Sequence, residues 1–245
     1  MVCARRYKAF MKNKLLIILI LTFSINFFGQ ENEKLIEQTA TQMGIEKTDI
    51  FFRLSTAQEF EDEILVVIPE VTEKGEGYIL FNSHVILIDK NTSKIKAEFS
   101  QKKDWYSDAM GIDKITIEKE KYHLNKSVIA FGLLFDYSGG SRANPFYGRD
   151  WSLYELKNDK LNRLLKRFSL KSFFGETDTT CKGKFEEHSK KIEFQNNGAN
   201  DYAVIKIIDT IDKYLRNENC KEESLETELK TETLKYKNGK YKKVL

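Results

Sequence analysis

The chain has 245 residues, 40 Lys and Arg against 37 Asp and Glu, and a formal charge of +3. The cationic surplus sits at the start: residues 1–30 hold Arg5, Arg6, Lys8, Lys12 and Lys14 and no acid, which leaves 35 cations against 37 acids, a formal −2, for residues 31–245. That balance excludes the clustered basic surface of a nucleic-acid binder, and His84, His123 and His188 are too scattered for a zinc site.

In chain order, the cationic stretch leads into "LLIILILTFSI" (15–25), an unbroken apolar run. It falls short of the about 20 residues a membrane-spanning helix needs and fits the roughly 7 to 15 of a signal-peptide core. Residues 1–30 therefore read as an export signal, with Met11 as an alternative start and cleavage near Gly29 or Gln30. A retained N-terminal anchor is the competing reading, because "FFGQ" is not the usual small-residue cleavage site. Export places the protein in the periplasm or outside the cell, with no stable membrane insertion after cleavage.

Residues 31–245 suit one mainly β exported domain. Leu35, Ile36, Thr39 and Met43 fall near helical spacing and Gly44 can end the turn, so a short helix is expected over 32–44. From Phe51 onward, short runs of Ile, Val, Leu, Phe and Tyr alternate with polar turns, the texture of strands. "EILVVIPEV" (63–71) reads as a strand buried on both faces. "GYILFNSHVILIDK" (77–90) reads as two strands around a bend at Asn82 and Ser83.

Three stretches repeat a strand, a Lys-Asn turn and a second strand: "VILIDKNTSKIKAEF" (85–99), "SLYELKNDKLNRLLKRF" (152–168) and "TLKYKNGKYKKVL" (233–245). Asn238-Gly239 is a strong two-residue hairpin signal, since both positions need positive φ. Antiparallel hairpins in a sandwich or a propeller-like arrangement follow. Residues 216–232 are polar, with Leu225 and Leu229 at i and i+4, and read as a short surface helix or loop. Cys181 and Cys220 are the only cysteines after the leader, and in an oxidising compartment such a pair predicts a disulfide. Two separate buried thiols are the alternative.

Candidate chemistry gathers in two polar segments. "DYSGGSRANPFYGRD" (136–150) offers Gly139 and Gly140 for positive φ, and Asp136, Arg142, Arg149 and Asp150 for charge. "GETDTTCKGKFEE" (175–187) offers Glu176 and Asp178, whose spacing puts both carboxylates on one face if the segment is a strand. They suit acid–base work or an ion pair with Arg142 or Arg149 that fixes two loops. Calcium needs six to eight oxygen ligands, and the regular Asp-x-Asn-x-Asp-Gly loop is missing, so no metal site and no cofactor are expected. "SQKK" (100–103) fits Ser-x-x-Lys without its partner motifs, and no Gly-x-Ser-x-Gly elbow, P-loop or dinucleotide fingerprint occurs. Trp105, Tyr106, Phe146, Tyr147, Trp151 and Tyr154 gather near loop starts, either as an exposed platform for a glycan or partner or as β core.

The blocks "SDAMGIDKITIEKEKYHL", "AFGLLF", "SRANPF", "WSLYEL", "LNRLLKRF" and "GETDTTCKGKFEE", in that order across 107–187, resemble a family of uncharacterised exported proteins of Gram-negative bacteria. The resemblance implies export and brings no catalytic residue. The reading as a whole is a non-catalytic binding or interaction module of the cell envelope, engaging an envelope protein or a glycan. An exported hydrolase centred on Glu176, Asp178 and Arg142 is the competing class.

Overall fold

The computed structural model describes residues 31–196 and 201–244. The export signal expected over 1–30 lies outside them. Among the described residues a helix, α1, covers 31–42. The strands are β1 (Thr56–Glu59), β2 (Glu63–Gly75), β3 (Tyr78–Asp89), β4 (Ile95–Ser107), β5 (Met110–His123), β6 (Ile129–Gly139), β7 (Phe146–Lys157), β8 (Lys160–Thr177), β9 (Gly183–Gln195), β10 (Val204–Arg216), β11 (Glu222–Lys237) and β12 (Lys240–Val244). They form two antiparallel meanders, ordered β1-β2-β3-β4 and β12-β11-β10-β9-β8-β7-β6-β5. The fold is a mainly β sandwich with a short N-terminal helix. Among the described residues no helix is long and apolar enough to cross a membrane.

The hairpins follow from turn chemistry. Asn158 and Asp159 (φ 51° and 54°) close β7–β8, and Asn238 and Gly239 (φ 54° and 82°) close β11–β12, so both central residues are left-handed and match the twist of the flanking strands. At β3–β4 the Asp89 carboxylate instead accepts the Asn91 and Thr92 N–H groups and the Thr92 hydroxyl.

Strand β2 is buried on both faces, as its unbroken apolar run predicts. Leu65 and Val67 face the second sheet with Phe81, Val85 and Trp105, packing on Ile115, Ile117, Phe131, Leu133 and Phe135. Ile64, Val66 and Ile68 face the other way, under Ile36 and Ala40 of α1. Removing a fully buried side chain of this size from water contributes about 1.5–3 kcal/mol, which is how a short helix stays docked.

The eight-stranded sheet also makes a core with itself. Trp151, Leu153 and Leu165 pack against Ile205, Ile207, Leu234 and Tyr241 from its far half. Strand β8 makes this possible: its register against β7 slips three times, Arg167 takes φ 49°, and it pairs with β9 only from Lys171 to Thr177. Bulged strands bend and coil, so β9–β12 turn over the other face of β6–β8.

Two expectations need correction. Asn82 and Ser83 do not bend the chain: β3 runs unbroken through them, and the irregularity lies opposite, in β4. Asn82 Oδ1 accepts the N–H of bulged Lys103, so the polar pair marks a bulge in the neighbouring strand. The polar stretch 216–232 is neither helix nor loop. It turns at 217–221 and then forms β11 from Glu222, because residues four apart are as close to in-phase on a strand as on a helix.

The aromatic residues divide. Trp105, Trp151 and Tyr154 are fully buried, whereas Tyr106 and Tyr147 are nearly half exposed.

Candidate functional site

The two polar segments meet where β6, β7 and β8 end. Beyond β7 the chain continues to pair with β8: Gly175 donates to the Pro145 carbonyl, Thr177 N–H to that of Ala143, and the Thr177 hydroxyl to that of Arg142. The "SRANPF" segment is thus strapped along the end of β8. Cys181 and Cys220 form a disulfide with Cα atoms 5.0 Å apart, tying the β8–β9 turn to the β10–β11 turn.

The expected polar centre does not assemble. Arg149 and Asp136 sit opposite each other in the β6–β7 register and pair through two hydrogen bonds of 2.6 and 3.1 Å. Asp150 pairs with Arg167 at 3.1 Å. Asp178 lies past the end of β8, so it shares no strand face with Glu176. Its carboxylate accepts the Thr180 hydroxyl and N–H, which hold it below the usual carboxylate range. Arg142 is exposed. Gly139 and Gly140 do not adopt positive φ, and Thr179 (φ 71°) and Cys220 (φ 58°) take the left-handed positions instead.

Glu176 alone of these residues reaches an open groove of about 630 Å³ lined by Met110, Phe146, Phe174, Glu186, Lys213 and Leu225. Its apolar walls are open to solvent, with Phe174, Met110 and Leu225 exposed by 43%, 52% and 58%. Mixed apolar walls with a few charged groups are the make-up of a recognition surface. A hollow of about 270 Å³ shares Met110 and Phe146 with it and contains Asp150, Arg167, Tyr106 and Lys171. Burial pushes the Asp150 carboxyl up to about 6 and the Arg167 guanidinium down to about 10, so both are charged at neutral pH. Arg167 stacks over Tyr137 at 4.4 Å, where the ring face favours the cation.

Several features were not singled out from the sequence. Tyr147, Phe173, Phe185 and Tyr214 stack across four adjacent strands at 4.6, 5.5 and 5.3 Å between centroids, and the Arg216 guanidinium lies 4.7 Å over Phe185. His188 holds Asp209 through Nδ1 at 3.0 Å and Glu186 through Nε2 at 2.9 Å. Burial alone would lower the imidazole pKa, but the two carboxylates outweigh it and raise it above its ordinary value. On the four-stranded sheet, Glu70, His84 and Ser100 form a cross-strand chain through both ring nitrogens, each contact 2.9 Å. Ser100 is thus bonded to a histidine rather than to the lysine of its Ser-x-x-Lys pattern.

Among the described residues no group of three or more His, Cys, Asp or Glu side chains is placed to hold a metal ion. The chain matches no family model, no curated protein and no solved structure.

Proposed function

We propose that the protein is an exported, non-catalytic interaction module of the bacterial envelope, and that its partner docks in the groove walled by Phe146, Phe174 and Leu225. The observation that carries this reading is the pairing of the polar groups. Arg149, Asp150 and Asp178 are spent on internal partners, while Glu176 lines an open groove together with the exposed apolar side chains of Met110, Phe174 and Leu225. The disulfide supports export, since such bonds persist in oxidising compartments, and so does the likeness of 107–187 to exported Gram-negative proteins. An envelope protein or a glycan suits walls of this kind.

The test is a turnover screen of residues 31–245 against chromogenic esters, glycosides, phosphate esters and peptides. The reading expects no turnover that Glu176→Gln, Asp178→Asn or Asp150→Asn abolishes; one that any of them abolishes overturns it. A hydrolase reading has one specific observation in its favour, the Asp150 carboxyl near 6 in a hollow beside Lys171 and Tyr106. It requires a rate that rises or falls around that pH and disappears in Asp150→Asn.

A further inference from the structure

We infer that the outer edge of β11, over residues 222–231, receives an extended, cation-rich strand of a partner protein, which adds to the eight-stranded sheet beside the groove. The inference rests on the reading of the chain as an interaction module and names the chemistry of its partner.

The first observation is the unpaired edge. Strand β11 pairs with β10 from Glu222 to Leu234, but β12 covers its other side only from Thr233 to Lys237. Over 222–231 no described residue pairs with the outer side, so a row of backbone donors and acceptors faces solvent. Such a row is a template for another strand, and peptide recognition by strand addition uses it directly.

The second is its position. The β10–β11 register slips between Lys213 and Tyr214, where Ser224 and Glu226 flank an extra residue, Leu225. Leu225 is therefore bulged, and it lines the groove together with Lys213, Glu186 and Phe174. A side chain of an added strand at this point meets the apolar wall. Leu229, exposed by 70%, offers a second contact further along the edge.

The third is charge. Residues 222–231 carry Glu222, Glu223, Glu226 and Glu228 against Lys230 alone. Two copies paired antiparallel about Thr227 would set Glu226 against Glu228 of the second copy, and like charges directly opposite destabilise a strand pair. Glu222, Glu226 and Glu228 already hold Arg216, Lys213 and Lys230 in ion pairs, but exposed pairs of this kind contribute little. Their carboxylates and that of Glu223 therefore still favour an incoming strand rich in Lys or Arg. The edge thus rejects its own kind and selects a cationic partner, both sides of specificity in one segment.

The experiment uses residues 31–245 and a fluorescein-labelled peptide of about ten residues, alternating lysine and valine. Two control peptides replace lysine by glutamate, or carry N-methyl groups on alternate backbone nitrogens, which preserves charge and side chains but removes ladder bonds. The lysine peptide is expected to bind at least about tenfold more tightly than either control, to weaken as salt rises from about 50 to about 500 mM, and to protect the 222–231 amides from hydrogen exchange. Glu223→Lys/Glu228→Lys, with circular dichroism unchanged, should lose at least about tenfold in affinity.

Equal binding of the N-methylated peptide overturns strand addition, because charge alone then explains the affinity. Dimerisation of the chain through 222–231 overturns it in favour of a second copy. Failure of the lysine peptide, with a partner still captured at Phe174, overturns the edge and leaves the module reading standing; failure of both removes both.

Discussion

Asp104 clamps the two sheets together, and its replacement by Asn is the sharpest test of how they are joined. Its side chain is fully buried, and its two oxygens accept Arg163 and Lys166 of β8 and the Ser83 hydroxyl of β3. Arg163 also donates to Gln101 at 2.8 Å and lies 4.9 Å over Phe99. Asp104→Asn preserves shape but leaves a 10% exposed guanidinium without its counter-charge; breaking a buried pair in this way costs about 3–5 kcal/mol. Arg163→Met should cost less, because Lys166 and Ser83 still hold the Asp104 carboxylate. The double change Asp104→Leu/Arg163→Met should recover much of the loss, since apolar replacement of a buried pair is often neutral.

The assay is urea unfolding followed by the fluorescence of Trp105 and Trp151; Trp105 packs edge-on to Phe135 of the opposite sheet. Burial alone would raise the Asp104 pKa, but hydrogen bonds from Arg163, Lys166 and Ser83 outweigh it and hold the carboxyl below its ordinary range. The folded-state value lies below the unfolded one, so this stability is present above about pH 4 and is lost as pH falls through the folded value. Asp104→Asn should remove that part of the acid sensitivity. Additive single costs, or a loss under about 1 kcal/mol for Asp104→Asn, would refute the clamp.

Replacing Cys181 and Cys220 by Ser releases a 39-residue separation; loop-closure entropy predicts a loss of about 4 kcal/mol in urea unfolding, and a change under about 1 kcal/mol contradicts a stapling role. His188 has a folded pKa raised above its unfolded value, so its stabilisation is fully present below about pH 6.5 and is lost as pH rises through the folded value. His188→Gln should flatten the melting temperature across that window, and an unchanged pH profile argues against the Glu186–His188–Asp209 cluster. A Cβ at Gly175 would lie 2.5 Å from a Phe185 ring carbon and 2.9 Å from the Lys184 carbonyl, whereas one at Gly140 meets nothing within 4 Å. Gly175→Ala should cost about 1–3 kcal/mol and Gly140→Ala less than about 0.5 kcal/mol, and equal costs would contradict the packing of the aromatic stack.

The strands were legible where the chemistry is local. An unbroken apolar run foretold the doubly buried β2, and the Lys-Asn turn of 152–168 and the Asn238-Gly239 pair foretold two tight hairpins, because both depend on residues close in sequence. Strand β11 was misread because its residues face solvent almost throughout, and a strand without a buried face loses its period-2 signature.

The site was harder for the same reason. Asp136 and Arg149 are opposite each other because the hairpin folds midway between them, so their pairing was within reach of a register argument. The Tyr147–Phe173–Phe185–Tyr214 stack takes one ring from each of four strands. Nothing in the spacing reveals it until every register, including the slips of β8, is known. The coupling of His188 to Asp209 was hidden likewise, since it depends on how β9 and β10 align.

The central claim, recognition through the groove without catalysis, is tested most directly by placing a photo-crosslinking phenylalanine analogue at Phe174 in the intact envelope, with matched substitutions at Leu225, Arg142 and Gln38. Phe174 and Leu225 wall the groove, Arg142 lies on the stapled turn side, and Gln38 is exposed on α1, over the other sheet. The account predicts one adduct of the same mass at Phe174 and Leu225 and none at Arg142 or Gln38. Adducts at Arg142 or Gln38 with the groove positions silent would contradict it.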